Sequence, residues 1–144
     1  MEAHVLLADF AQSDQSGKVN ALGLGWSVTS TPTPHHAVVA FLKVGWDEAN
    51  EQHQLILSLL TADGVHAVEV PTPFGPQPLQ IEASFEVGRP PGLSRGSSID
   101  HALAINVGQG LPLAPGRYEW RLQVNGLARE HWRAAFTVRA QPNQ

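Results

Sequence analysis

The sequence of residues 115–126 is Pro115-Gly116-Arg117-Tyr118-Glu119-Trp120-Arg121-Leu122-Gln123-Val124-Asn125-Gly126. Apolar and polar side chains alternate along this run as far as the Asn-Gly pair, and a second alternating run follows it. One face collects the apolar residues of both runs, which are Tyr118, Trp120, Leu122, Val124, Trp132, Ala134, Phe136 and Val138. A period of two with one polar face is typical of an antiparallel hairpin that is packed on one side. The pattern therefore predicts a hairpin that closes an antiparallel β-sandwich.

The alternation also restricts the register of this hairpin. A two-residue loop at Asn125-Gly126 would leave Trp132 on the polar face, so the pattern favours an odd number of loop residues. A three-residue loop, a turn plus a bulge, places Trp120 opposite Trp132 and Glu119 opposite Arg133. A five-residue loop would oppose Arg121 and Arg133, and like charges directly opposite each other are unfavourable. The three-residue loop is our prediction.

Length and composition indicate one globular domain. The chain has 144 residues, of which 42% are apolar and 15% are charged. A single domain of this size buries about 68% of its unfolded surface, so it folds without a metal or a disulfide. We predict one β-sandwich domain over residues 1–140 and a short polar tail at residues 141–144.

Charge and cysteine content exclude several classes of function. The net charge is −4 and only nine lysines and arginines are present, too few for the concentrated basic surface that nucleic acid requires. The absence of cysteine removes disulfides and thiolate catalysis and fits a reducing compartment. Asp9 interrupts the first apolar run, so we expect neither a signal peptide nor a membrane span. The expected location is the cytoplasm.

Nine short strands and no long helix are predicted along the chain. Turn signals rich in glycine, proline and aspartate separate the apolar runs, as in a sandwich or barrel. One helical turn is expected at residues 47–51, and two irregular loops are expected at residues 71–78 and 88–97. The strands preceding the closing hairpin are expected at residues 4–11, 19–29, 37–46, 55–61, 66–70, 79–87 and 99–107.

Some of these strands are apolar on both faces. Val38, Ala40 and Leu42 lie on one side of the third strand, whereas Val39 and Phe41 lie on the other. The first and fourth strands share this property, and such strands must be covered twice. Two covers fit the pattern: the proline-rich loop with Phe74, or a second protein surface. We hypothesise a homo-oligomer or another protein partner on this sheet.

Seven histidines raise an enzymatic alternative, a small hydrolase or a metal-dependent enzyme. No His-x-His or His-x-x-x-His pair is present, and adjacent His35 and His36 point to opposite faces of a strand. His101 shares parity with Ile99 and Leu103, so it is expected to point inward. Such a residue is more often a neutral core histidine than a ligand. The sequence leaves open whether distant histidines converge in space.

Two further patterns suggest chemistry on first inspection. Residues 92–96 match the G-x-S-x-G pattern of a hydrolase, but that mechanism needs a strand before the serine and a helix after it. Here two prolines precede the motif and a strand follows it, so we interpret it as a loop. The four tryptophans could form a carbohydrate platform if Trp26 or Trp46 proves exposed in a groove. Parity with aliphatic neighbours favours core packing for three of the four.

Residues 113–122 resemble the penultimate strand of immunoglobulin-like and fibronectin-type sandwiches, where a tyrosine often fixes the preceding corner. The whole chain is also similar to a family of short uncharacterised bacterial proteins. The segments that carry this second resemblance are residues 7–9, 17–18, 22–26, 85–92 and 113–120. It implies a bacterial cytosolic β-sandwich and carries no activity with it.

Taken together, the sequence predicts a non-enzymatic β-sandwich that binds or assembles with protein and has no cofactor, metal, nucleic-acid or membrane partner. A small-ligand or carbohydrate binder is the third alternative. The surface expected to make the contacts comprises Val39, Phe41, Phe74, Arg89 and Arg95.

Overall fold

The computed structural model describes residues 1–63 and 66–140. Short strands dominate the structure, and Trp46–Glu48 form one 3-10 turn. Residues 1–63 and 66–140 contain no helical segment of the length and hydropathy that a bilayer crossing requires. The strands are β1 (Glu2–Ala8), β2 (Phe10–Ser13), β3 (Val19–Leu22), β4 (Val28–Thr29), β5 (His36–Val44), β6 (Gln52–Thr61), β7 (Glu69–Thr72), β8 (Gly75–Pro78), β9 (Gln80–Glu86), β10 (Ile99–Val107), β11 (Gly116–Val124) and β12 (Arg133–Val138).

Two stacked sheets form the body of the molecule. The three-stranded sheet has the order β1-β5-β10, and the five-stranded sheet has the order β4-β12-β11-β6-β9. All pairs are antiparallel except β4 with β12, which is parallel. The remaining strands form two hairpins, β2–β3 and β7–β8. The predicted all-β sandwich is confirmed, and β1, β5 and β10 against β6, β11 and β12 correspond to the A-B-E and C-F-G strands of immunoglobulin domains.

The core lies between the two sheets, where side-chain parity predicted it. Trp120 and Trp132 are fully buried there, together with Phe136 from β12. The inner face of β5 contributes Val38, Ala40, Leu42 and Val44, and the inner face of β6 contributes Leu55, Leu57 and Leu59. The alternation of the closing hairpin thus identifies core residues correctly.

Two predicted strands are broken in the structure. The first ends at Ala8 and resumes at Phe10, and the second is divided into β3 and β4. Gly23 follows β3 with a φ of +68°, and a Cβ there would overlap the carboxylate of Asp9. Close approach at Gly23 therefore ends β3, and the chain then crosses to the other sheet.

The prediction of an irregular, proline-rich loop at residues 71–78 is wrong. Residues Glu69–Thr72 pair with Gly75–Pro78 as the β7–β8 hairpin, and the Thr72 hydroxyl donates to the Gly75 carbonyl at 2.6 Å. A two-stranded pair needs few backbone donors, so it accommodates prolines that a central strand would exclude. The predicted seventh strand at residues 99–107 is confirmed, whereas the tail predicted at residues 141–144 lies outside the described residues.

The predicted register of the closing hairpin is also wrong. Trp120 is opposite Ala134, and Arg121 is opposite Arg133, the pairing that like-charge repulsion argued against. Glu119 explains why it is tolerated: its carboxylate lies 2.9 Å from Nε of Arg121 and 3.4 Å from Nη1 of Arg133. Glu119 is on the predicted polar face, yet it is only 3% exposed.

The loop of this hairpin combines a two-residue turn with an interruption of the strand pairing, which the sequence analysis treated as alternatives. Asn125 and Gly126 have φ angles of 52° and 79°, and Val124 pairs with Leu127 around them, which is the geometry of a type I′ turn. Residues 128–131 then leave the ladder. The N–H of Leu122 donates to the carbonyl of Trp132 at 2.9 Å, and regular pairing continues from Arg133. This interruption restores the parity that a two-residue turn alone would break.

The tyrosine corner is present as the resemblance implied. The hydroxyl of Tyr118 donates to the carbonyl of Ala114 at 2.7 Å. Tyr118 is otherwise buried against Phe136, with ring centroids 5.8 Å apart. The contact fixes the corner that leads into β11 and ties it to the core.

Replacing Glu119 tests the role of the central carboxylate. We expect Glu119→Gln to lower the free energy of unfolding by about 1–2 kcal/mol, because it leaves two opposed guanidinium groups and a buried amide. Urea denaturation measures the effect. Glu130→Gln is the control at an exposed carboxylate outside β9, where a surface substitution is expected to change stability by less than about 0.5 kcal/mol. Equal effects of the two substitutions would contradict this account of the register.

Candidate functional site

His36 is a structural residue that is buried between the two sheets at the start of β5. It is fully buried on β5, and the indole N–H of Trp120 donates to its Nε2 at 3.2 Å. Its Nδ1 lies 3.3 Å from the carbonyl of Pro34, so the proton is on Nδ1. Trp26 stacks on the ring with a centroid distance of 4.5 Å and an interplanar angle of 4°. Burial lowers the pKa of His36, and both ring nitrogens are engaged with the core.

The other candidate histidines lie apart from His36. His35 points away from the core, where its Nδ1 is 3.0 Å from the carbonyl of Asp9. His101 lies on the inner face of β10, as its parity predicted, and stacks on Phe85 with ring centroids 5.9 Å apart. Burial lowers the pKa of His101 as well. Within residues 1–63 and 66–140, no three His, Asp or Glu side chains come together in a manner that could hold a metal.

The β2–β3 hairpin covers half of the outer face of the three-stranded sheet. Ala11 on β2 packs on Ala37 and Val39 of β5, with Val19, Ala21 and Ala104 around them. Phe74, which the sequence suggested as the cover, is instead 92% exposed at the tip of the β7–β8 hairpin. The β2–β3 hairpin therefore explains in part why β5 is apolar on both faces. The sequence analysis had placed the residues of this hairpin in the main sheets.

Specific hydrogen bonds hold this hairpin against β10. The side chain of Asn106 donates to the carbonyl of Ala11 at 2.8 Å. The N–H of Ala104 donates to the Ser13 hydroxyl at 2.9 Å, and the N–H of Ala102 donates to the Gly17 carbonyl at 2.9 Å. These bonds cover the edge of β10 and fix the hairpin in place.

The turn of the hairpin is organised by Asp14. Its Oδ1 accepts bonds from the Ser16 hydroxyl at 2.6 Å, the Ser16 N–H at 2.8 Å and the Lys18 N–H at 3.1 Å. These bonds lower the pKa of Asp14, and the bond from the Ser16 side chain has the largest effect. Gly17 completes the turn with a φ of +79°. An aspartate followed by serine and glycine is a recognised turn signal, which explains why this part of the hairpin was predictable.

The other half of the same face is open and forms an apolar groove of about 800 Å³. Leu6 on β1 and Phe41 on β5 contribute to its floor, and Leu24 contributes to a wall. Leu6 is 46% exposed and Leu24 is 56% exposed. We call this cavity, whose lining includes His4, Leu6, Val19, Leu24, Phe41 and Ala102, the outer groove.

Polar groups surround the outer groove. Lys18 on the hairpin and Asp100 on β10 both line it, and Asp100 accepts a bond from Nζ of Lys43 at 3.2 Å. Such an exposed ion pair contributes little to stability. An apolar floor within a polar rim is the usual arrangement of a protein-binding surface.

The five residues predicted as an interaction surface lie in three places. Val39 and Phe41 line the outer groove, although Val39 is largely buried. Phe74 is on the β7–β8 hairpin. Arg89 and Arg95 flank Trp46, beside a separate cavity of about 540 Å³. Sequence reasoning missed Leu6 and Leu24 as members of the groove, and the apolar residues on both faces of the first strand were the signal for Leu6.

Trp46 has one side occupied by an arginine. The guanidinium carbon of Arg89 lies 4.4 Å from the ring centroid, and Nη2 donates to the carbonyl of Trp46 at 2.7 Å. The neighbouring Glu48 carboxylate pairs with the ammonium group of Met1 at 3.0 Å. Arg89 and Glu48 beside Trp46 are thus already engaged within the chain.

Comparison with known proteins identifies a family and no activity. The family model described as "Family of unknown function (DUF6941)" matches residues 3–139. No curated protein and no solved structure matches the chain. The match confirms the resemblance to an uncharacterised family.

The buried His36 makes stability depend on pH. Its pKa is lowered in the folded state from an ordinary value of about 6.5, so the unfolded chain binds the extra proton first as pH falls. We expect the free energy of unfolding to be constant above pH 6.5 with respect to this group and to decrease below it, by at most about 1.4 kcal/mol per pH unit. Urea titrations at pH 7.5 and 5.0 measure this loss. His36→Gln should reduce the difference between the two pH values, and an unchanged difference would show that another group is responsible.

Proposed function

The chain belongs to a family of unknown function, and from that premise we propose that it is a non-enzymatic binding module whose outer groove receives an extended apolar segment of a partner protein. The observation that supports this role is the incomplete cover of one sheet face. The β2–β3 hairpin covers Val39, while Leu6 and Leu24 stay about half exposed beside it. Contiguous exposed apolar surface within a polar rim is typical of interaction sites.

The floor of the outer groove favours an extended peptide. His4 and Leu6 are two residues apart on β1, and Val39 and Phe41 are two residues apart on β5. Leu6 is opposite Val39 and His4 is opposite Phe41. Side chains on one face of a strand repeat about every 7 Å, and an extended peptide has the same repeat. A partner segment with apolar residues at alternate positions therefore matches the groove.

A partner protein fits the outer groove better than a second copy of this chain. The most exposed large apolar side chain is Phe74, on a hairpin remote from the groove in sequence and sheet. Insertion of Phe74 into the groove of a second copy would join two different patches, so it would close as a dimer only if both copies made the contact reciprocally, and it would otherwise build rings or open chains. We therefore assign the groove to a different protein. We keep the cytoplasm as the proposed location, because a chain without cysteine gains no stabilisation from an oxidising compartment.

The two alternative functions have less support. The buried ring of His36 is bonded on both nitrogens, and His101 packs on Phe85. A carbohydrate platform would need free tryptophan faces, whereas Trp26 packs on His36 and Phe136 and one face of Trp46 is covered by Arg89. Binding of a protein segment in the outer groove uses the exposed apolar side chains of Leu6 and Leu24.

A photo-crosslinking residue at position 24, introduced in the native host, tests this proposal. We expect it to crosslink partner peptides with alternating apolar residues, whereas the same residue at position 127 should not. Leu127 is the matched control because it is 47% exposed at the tip of another hairpin.

A synthetic peptide of the recovered sequence then tests affinity. Leu24→Glu should weaken its binding at least about tenfold, because a buried leucine contributes about 1.5–3 kcal/mol. Leu127→Glu should leave the affinity unchanged. Similar crosslinks at both positions, or equal affinities of the two variants, would overturn the assignment of the groove.

A further inference from the structure

Most outer strands of the two sheets have covered edges. The edge of β10 donates to Gly17 and Ser13 of the β2–β3 hairpin. At β1, the carbonyl of Leu7 accepts from Gly25 and Trp26, and the N–H of Ala3 is bound to the carboxylate of Glu2 at 2.8 Å. On the far side of the five-stranded sheet, β4 is only two residues long. Cover and short length are the usual means by which proteins block unwanted strand pairing.

The edge formed by β9 differs from the others. Its seven residues, Gln80-Ile81-Glu82-Ala83-Ser84-Phe85-Glu86, contain no proline and no lysine. Within the described part of the chain, their backbone groups bond only to β6. A free edge of this length offers a row of unpaired donors and acceptors to another strand.

The backbone groups that face outward can be identified. The N–H of Leu59 donates to the carbonyl of Leu79, so the odd-numbered residues of β9 face β6. On the opposite side of β6, the carbonyl of Gln54 accepts from Asn125, so the even-numbered residues of β6 face β11. Both bonds fix the same alternation. The free donors and acceptors of β9 therefore belong to Gln80, Glu82, Ser84 and Glu86.

Charge selects one register for pairing β9 with a copy of itself. A two-fold axis through Ala83 places Glu82 opposite Ser84 and Gln80 opposite Glu86, which allows about eight backbone hydrogen bonds. An axis through Glu82 would oppose that residue to its own copy, and an axis through Ser84 would oppose Glu82 to Glu86. Directly opposed like charges are unfavourable, so the axis through Ala83 is preferred.

The side of the sandwich next to β9 adds apolar surface to this edge. Ile81 and Ala83 on the inner face of β9 are only partly buried, and so are Leu103 and Ile105 on β10. The stacking of Phe85 on His101 shows that these two strands meet at the same side of the molecule. A strand added to β9 would bring its own Ile81 and Phe85 to the continuing inner face.

We propose that two copies of this chain pair through β9 in antiparallel orientation about an axis at Ala83, so that two five-stranded sheets form one ten-stranded sheet. The contact is isologous and closes as a dimer. It is independent of the outer groove, which lies on the other sheet. The paired strands are about 24 Å long, so the interface is small and we expect the dimer to be weak.

Sedimentation equilibrium of the full chain from 1 to about 500 µM tests the dimer. Position 84 provides variants of opposite sign, because residue 84 is opposite Glu82 of the other copy and the contact occurs twice. Ser84→Lys should tighten the dimer and Ser84→Glu should weaken it, each by about fivefold. Added salt should reduce both changes.

Matched controls separate the register from net charge. Gln123→Lys and Gln123→Glu change the charge equally on an exposed position of β11 and should leave dimerisation unchanged. A chain that is monomeric at the highest concentration overturns the proposal. The proposal is also overturned if the position-84 variants change dimerisation no more than the position-123 variants do. It is likewise overturned if Leu24→Glu abolishes the dimer while the position-84 variants leave it intact. In that last case the outer groove would be the self-association surface, whereas loss of peptide binding by Leu24→Glu with a normal dimer would support both proposals.

Discussion

The hydrogen bond between Trp120 and His36 is the contact on which the interior depends. It joins the two sheets, because the indole N–H of Trp120 on β11 meets the imidazole of His36 at the start of β5 at 3.2 Å. A buried indole needs an acceptor, and a buried imidazole must be neutral to act as one. Trp26 and Phe136 pack around the same ring, with centroids 4.5 Å and 6.0 Å from it. Burial of apolar side chains between the sheets is the main source of stability. The Trp120–His36 contact, together with the bond from the Trp132 indole to the Glu2 carboxylate at 2.8 Å, fixes how the two sheets meet.

The interior is filled by packed side chains, so the proposed functions depend on the outer surfaces of the two sheets. The β2–β3 hairpin divides the outer face of the three-stranded sheet into a covered half and an open half. It also covers the edge of β10 through Ala102 and Ala104. As a result, one apolar groove and the free edge of β9 are left on a rigid scaffold. Binding surfaces supported by strands are held in position more precisely than surfaces on loops, which is consistent with the docking roles proposed above.

How far sequence reasoning succeeded can be seen in the closing hairpin. Side-chain parity identified Trp120, Trp132 and Phe136 as core residues, because the period of a strand is fixed by backbone geometry. The same reasoning failed for the register, because it treated the opposition of Arg121 and Arg133 as a pair. In the structure Glu119 lies between them, and a three-body arrangement of charges cannot be judged two residues at a time. For the groove, the apolar residues on both faces of β5 showed that its outer face needed a cover. They could not show that the cover is a hairpin that leaves half of that face open.

Local chemistry therefore determined the β class, the buried face of each main strand, the turn at Asp14 and the tyrosine corner at Tyr118. These features depend on neighbours a few residues apart, whose preferences are written in the residue types themselves. Only the tertiary structure decided that Trp120 meets His36, that β2–β3 folds over Val39, and that Leu6 and Leu24 border one groove. Each of these brings together residues far apart in the chain, and their meeting is selected by the packing of the whole molecule and not by any single segment.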